Sequence, residues 1–173
     1  MVKKREAIAE NYKWDLTTIF ATDEAFELEL ADASTALEDA RNLAGTLTDS
    51  AENLLAVTDT ELALMQRVEK LYVYASMKND QDTTVSLYQE YQAKVTALYA
   101  KFNEVFAFYE PEFMTLSQET FAQFVIDQPK LQTYGHFFEQ LFDRKALHIA
   151  EVMTIAKSLP HICKTYHKWI ILN

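Results

Sequence analysis

Glycine and proline are almost absent from this sequence. Gly45 and Gly135, with Pro111, Pro129 and Pro160, are its only backbone punctuators in 173 residues. So few breakers cannot supply the turns of a β-sandwich or barrel, and they leave no glycine-rich loop to cradle a nucleotide phosphate. Cysteine is nearly missing too: Cys163 stands alone, which excludes an internal disulfide and fits a reducing compartment. No apolar run approaches the ~20 residues of a membrane span. Met1–Glu10 carries Lys3, Lys4 and Arg5 without the apolar stretch of a signal peptide. Basic charge is scarce as well. Sixteen lysines and arginines face 26 acidic residues, a net charge of −10 that repels phosphate backbones and argues against nucleic acid as a partner. What remains is 49% hydrophobic and 13% aromatic. The length falls within the ~100–200 residues of one domain, enough to bury a core unaided. These bounds describe an acidic, all-α, cytoplasmic protein with neither a membrane nor a nucleic-acid partner.

Periodicity and capping residues divide the chain into helices. Asn11–Ile19 reads as an extended lead-in, with Trp14 and Leu16 as docking side chains. A first long helix opens at Thr22 or Asp23, either able to accept first-turn amide hydrogens, and buries Phe26, Leu30, Leu37 and Ala40 or Ala44. Gly45 is placed to end it with a positive φ. Ser50 caps Ala51–Ala56, and a second start at Thr58–Thr60 leads into a helix with Leu62, Met65, Val68, Tyr72 and Ala75 inward. Asn79–Thr84 reads as a turn.

The strongest periodic signal runs from Val85 to Tyr109, through Tyr88, Val95, Tyr99, Phe102 and Phe106. Leu87, Tyr91, Leu98, Val105 and Phe108 form an adjacent apolar seam, so this segment is expected to be one long central helix of an antiparallel bundle. Pro111 is expected to end it. Ser117 caps a short helix to Asp127 carrying Phe121, Phe124 and Val125. Pro129 opens a last one over Lys130–Arg144, with Leu131, Tyr134, Phe138 and Leu141 inward.

Few side chains are spaced for chemistry. His136 and Glu139 lie one helical turn apart, but HExxH needs a second histidine four residues on, and HxxEH needs histidine where Gln140 stands. A polar pair on an exposed helix face is the favoured reading. His161, Cys163 and His167 offer soft ligands at a spacing that fits no standard zinc site. Glu110, Glu112 and Glu119 cluster around Pro111 and read as a solvated acidic turn rather than an acid–base pair. Six tyrosines, Tyr72, Tyr74, Tyr88, Tyr91, Tyr99 and Tyr109, supply apolar area with polar tips, suited to a core or to an interface.

Several strings together carry a resemblance: Asn11–Phe20 (NYKWDLTTIF), Thr22–Phe26 (TDEAF), Val68–Asp82 (VEKLYVYASMKNDQD), Phe106–Glu112 (FAFYEPE), and Pro129–Phe142 with its Tyr134–Gly135–His136. From about residue 11 to about residue 145 the chain resembles the amino-terminal region of the oligoendopeptidase F family, zinc metallopeptidases of the thimet-oligopeptidase clan. The resemblance implies a non-catalytic helical lobe that helps wall a channel for short peptides, with the missing carboxy-terminal catalytic lobe as its partner. It implies zinc in the full-length family, held by HExxH and a downstream glutamate, but no position here matches that motif. The chain is therefore assigned no catalytic residue, no metal ligand and no cofactor of its own, and is expected to be inactive alone. The rival reading is a stand-alone helical module for binding or assembly, dimerising through exposed aromatic surface.

The end of the chain changes character. Residues 1–151 hold all 26 acidic residues, whereas 152–173 hold Lys157, Lys164 and Lys168 and none. Past Lys145 the resemblance fades as well. The chain is accordingly divided into a helical domain, 1–151, and an atypical basic tail, 152–173. The tail is either out-of-frame text from a gene interrupted near codon 150, or the genuine end of a short protein.

Overall fold

The computed structural model describes residues 8–9 and 12–147. The all-α expectation holds: every regular element among the described residues is helical. The helices are α1 (Asp23–Ala40), α2 (Ala51–Gln81), α3 (Ser86–Val105), α4 (Tyr109–Phe113), α5 (Gln118–Asp127) and α6 (135–147). Short 3₁₀ segments occur at Leu16–Thr18, Arg41–Leu43 and Pro129–Tyr134. The chain divides into two compact units, Met1–Tyr109 and Glu110–Asn173. The boundary drawn between residues 151 and 152, and the basic tail beyond it, lie outside the described residues.

Helix starts follow from single side chains. The hydroxyls of Thr22, Ser50 and Ser117 accept from the amides of Ala25, Asn53 and Thr120, each closing an orphan donor of a first turn. Such caps contribute about 1 kcal/mol each. Asp15 does the same for the 3₁₀ turn at Leu16–Thr18. That turn seats Leu16 in the core but leaves Trp14 exposed, so only one of the two expected docking residues docks. Gly45 has φ +86°, the left-handed conformation expected of it. It lies beyond the 3₁₀ turn Arg41–Leu43 rather than directly after α1.

Three helix boundaries differ from expectation. α2 is one uninterrupted helix of 31 residues, with no restart at Thr58–Thr60. The hydroxyls of Thr58 and Thr60 donate back to the carbonyls of Leu54 and Ala56, which lets threonine sit inside a helix without capping one. α3 stops at Val105, four residues short of Tyr109, so α2 and not α3 is the longest element. Pro111 does not end α3. It stands third in α4, where its missing amide hydrogen belongs to a first turn that has no carbonyl to serve. Pro129 likewise opens a 3₁₀ turn, and the last helix begins at 135.

In the first unit α1 packs on both α2 and α3, which turn back on each other through Asp82. Asp82 Oδ1 accepts from the Thr84 amide and hydroxyl, at 2.9 and 2.6 Å. The core is built from Phe20 and Phe26, Leu37, Val68, Leu71 and Tyr74, Tyr91, Val95, Leu98 and Phe102. On α3 the two stripes share the interior: Val95 and Phe102 of the first and Tyr91, Leu98 and Val105 of the adjacent seam are buried, whereas Tyr99 and Leu87 are exposed. On α2 the inward face is Leu64, Val68, Leu71, Tyr74 and Ala75. Tyr72 points out, and Leu62 and Met65 are only half-buried. Ion pairs tie α1 and the 3₁₀ turn after it to their neighbours: Asp23–Lys78 at 2.8 Å, Lys101–Glu38 at 2.7 Å and Arg41–Glu104 at 3.1 Å. They are at least partly open to water and contribute at most ~1 kcal/mol apiece.

The second unit closes on phenylalanine. Phe113 stacks on Phe138 at 5.5 Å and meets Phe142 edge-on at 4.9 Å, with Phe121 5.0 Å from Phe138. Leu131 and Leu141 complete this interior. Lys145 Nζ donates to the Leu116 carbonyl at 2.6 Å, and Arg144 pairs with Glu110 at 3.1 Å.

Candidate functional site

The described side chains spaced for chemistry are His136, Glu139, Glu110, Glu112 and Glu119, on α4, α5 and α6. His136 Nδ1 and Glu139 Oε2 are 3.8 Å apart on α6, with side chains 84% and 79% exposed. His136 Nε2 is 3.0 Å from Gln140 Nε2, the position where an inverted motif would need a second histidine. Among the described residues no group of three or more His, Cys, Asp or Glu side chains is placed to hold a metal ion. A hydrolytic zinc site needs three protein ligands and an open position, so the described residues do not fit the zinc that the resemblance implies. His161, Cys163 and His167 lie outside the described residues.

Two members of the acidic cluster have partners of their own. Glu110 is engaged by Arg144. Glu119 sits in the first turn of α5, where its own backbone amide and then the Ser117 hydroxyl hold its carboxyl below the usual glutamate range. Glu119 is thus a helix-start carboxylate stabilised by local donors.

The six tyrosines divide instead into inward and outward sets. Tyr74 and Tyr91 flank Phe26 and send their hydroxyls to Asp23 at 2.6 Å and Glu27 at 3.0 Å. Burial first, and these carboxylates second, push both phenols upward. Burial also works to raise the carboxyl of Asp23, but hydrogen bonds from Lys78 and Tyr74 outweigh it and the net shift is downward. Tyr109 is buried with its hydroxyl 2.6 Å from that of Thr58. Tyr88 is half-buried, with the Lys78 ammonium 5.2 Å from its ring centre.

Tyr72 and Tyr99 face outward together, their ring centres 6.2 Å apart. They flank a groove of about 710 Å³ lined by Glu69, Val73, Thr96, Ala100 and Asn103 as well. The lining follows i, i+3, i+4 on each helix: 69, 72 and 73 on α2, and 96, 99, 100 and 103 on α3. Val73 is 46% exposed and Tyr72 41%, an apolar centre with Thr96, Asn103 and Glu69 as polar groups around it. Both tyrosines were expected inward. The signal that separates them from Tyr74 and Tyr91 is the reach of the inward pair to acidic residues one turn apart on α1.

No family model matches the chain. It is 54% identical over 145 residues to the group B oligopeptidase PepB of Streptococcus agalactiae, covering 84% of this chain. It is 52% identical over 147 residues to an oligoendopeptidase F homolog of Lactococcus lactis subsp. lactis. The crystal structure of oligoendopeptidase-F from Enterococcus faecium superposes with a TM-score of 0.67 at 33% identity, covering 72% of this chain. The matched stretch is homologous to part of the oligoendopeptidase F proteins. It spans about a quarter of the relatives it matches: 24% of each of the two sequences and 25% of the solved chain. The aromatic core and the outward groove thus lie within the stretch that matches these proteins. No helix among its described residues is long and apolar enough to cross a membrane.

Proposed function

We propose that this chain is the amino-terminal, non-catalytic helical lobe of a cytoplasmic zinc oligoendopeptidase, shaping the approach of short peptides while residues outside it perform hydrolysis. The observation that carries this reading is high identity confined to a quarter of the relatives' length, alongside described residues that do not fit a hydrolytic metal site. Hydrolysis by a metallopeptidase requires a bound metal that generates a hydroxide nucleophile, and His136 with Glu139 provides two exposed side chains on one helix face. The purified chain, given zinc and an unstructured oligopeptide, is expected to show no turnover above buffer. Chelator-sensitive cleavage would overturn the reading.

A second reading is favoured by the exposed Tyr72–Tyr99 face: a stand-alone module that assembles through that surface. Under it the chain forms a homodimer. Sedimentation velocity over a hundredfold concentration series checks this, and a monomer throughout removes it.

A further inference from the structure

We propose that the groove between α2 and α3, centred on Tyr72 and Tyr99, is the surface on which the remaining three quarters of an oligoendopeptidase F-type chain docks. The inference rests on the lobe reading above and assigns that lobe's interface to particular residues.

Three observations favour this occupant. The chain covers 24% of its relatives, so in a full-length protein of that kind about three quarters of the residues lie outside it and offer surface to cover this face. Among the described residues α1 packs on both α2 and α3, and the groove between α2 and α3 is lined by Tyr72, Val73, Tyr99 and Ala100 together with the polar Glu69, Thr96 and Asn103. Exposed tyrosine and aliphatic side chains with few charges match the composition of a protein interface, where tyrosine is enriched and charge depleted. Charge disfavours a second copy. Another chain brings the same net −10 and the same Glu69, whereas a distinct partner can place a basic side chain opposite that carboxylate. The expected partner surface is therefore an apolar strip with one lysine or arginine facing Glu69.

Tyrosine nitration by tetranitromethane tests the assignment, because the reagent attacks the phenolate of accessible rings. Two proteins are compared: this full chain, and a chimera in which its 145 matched residues replace the corresponding segment of the Streptococcus agalactiae relative. In the isolated chain Tyr72 and Tyr99 nitrate, while Tyr74, Tyr91 and Tyr109 do not. In the chimera, covering Tyr72 and Tyr99 excludes the reagent, and each unit by which desolvation raises a phenol removes about tenfold of its phenolate. The expected result is a loss of about tenfold or more in nitration of both. In a second arm, Tyr72→Glu with Tyr99→Glu leaves the helical signal of the isolated chain unchanged and lowers the midpoint of thermal unfolding of the chimera.

A folded, active chimera in which both tyrosines nitrate as fast as in the isolated chain overturns the docking surface and leaves the lobe reading standing. A folded but inactive chimera defeats the lobe reading, and the protection of Tyr72 and Tyr99 still decides the surface. Reaction at Tyr74 and Tyr91 reports a chimera that has not folded and overturns both. Protection that appears in the isolated chain as its concentration rises identifies a second copy as the occupant and overturns the proposal.

Discussion

Replacing Phe26 by alanine is expected to destabilise the first unit by about 4 kcal/mol, the middle of the range for deletion of a buried phenylalanine. Phe26 is fully buried, and three aromatic rings surround it: Tyr91 at 4.7 Å, Tyr74 at 5.1 Å and Phe20 at 5.8 Å. Truncation removes the apolar burial, the ring–ring terms of about 0.5–1.5 kcal/mol each, and the filling of a cavity. The surroundings resist collapse because Tyr74 and Tyr91 are tethered by hydrogen bonds to Asp23 and Glu27. Both acceptors lie on α1 within one turn of Phe26, so a ring that moves to fill the hole must lengthen its own hydrogen bond. With typical domain stabilities of about 5–15 kcal/mol, the loss is a large fraction of the whole. Urea unfolding followed by circular dichroism measures it. Leu28→Ala, on the same helix but 64% exposed, is the reference and should stay within about 0.5 kcal/mol. A Phe26→Ala loss no larger than that of Leu28→Ala would mean that the aromatic cluster does not hold the three helices together.

The same cluster shows why parts of the fold were legible in the sequence and others were not. Thr22, Ser50 and Ser117 announced their helices because a short hydroxyl side chain before an apolar periodic run has few other uses. The inward faces of α2 and α3 were harder. Leu71–Tyr72–Val73–Tyr74–Ala75 is apolar at every position, so a 3.6-residue period fits two stripes equally well. What chooses between them is a hydrogen bond: Tyr74 turned inward meets Asp23, and Tyr91 turned inward meets Glu27. Both contacts span more than fifty residues and leave no mark on local periodicity. The break after Val105 was hidden for a related reason. Phe106, Phe108 and Tyr109 continue the apolar pattern although the backbone has left the helix, and Pro111 drew the boundary toward itself. Of the functional reading, the missing HExxH was legible at once. The outward pairing of Tyr72 with Tyr99 was not, because it depends on how α2 and α3 rotate against α1.

Glu61 carries the second large effect, one that periodicity also conceals. It lies on α2, one turn after Thr58, and Oε2 is shielded from water with no hydrogen-bond partner. Burial pushes its carboxyl up from 4.5 to about 7; burial also raises the phenol of Tyr109, and the charge of ionised Glu61 adds to that rise. The pH dependence follows from the sign of that shift. Below about pH 4.5 the carboxyl is protonated in both folded and unfolded chains, and Glu61 is neutral with respect to stability. Between about 4.5 and 7 the folded protein keeps a proton that the unfolded chain has released, so stability falls as pH rises, at ~1.4 kcal/mol per unit. Above 7 the loss is complete. The interval sets an upper bound of about 3 kcal/mol, and because Glu61 is only half-buried as a residue, screening brings the expected loss to about 2 kcal/mol. Glu61→Gln removes the charge at nearly constant shape. Relative to the parent, the variant should gain about 2 kcal/mol on passing from pH 4 to pH 8, and so unfold at higher urea at pH 8. Parallel urea curves at the two pH values decide the matter. An unchanged difference between variant and parent would show that Glu61 finds a partner in solution, and that the shielded oxygen on α2 is not a source of acid-side stability.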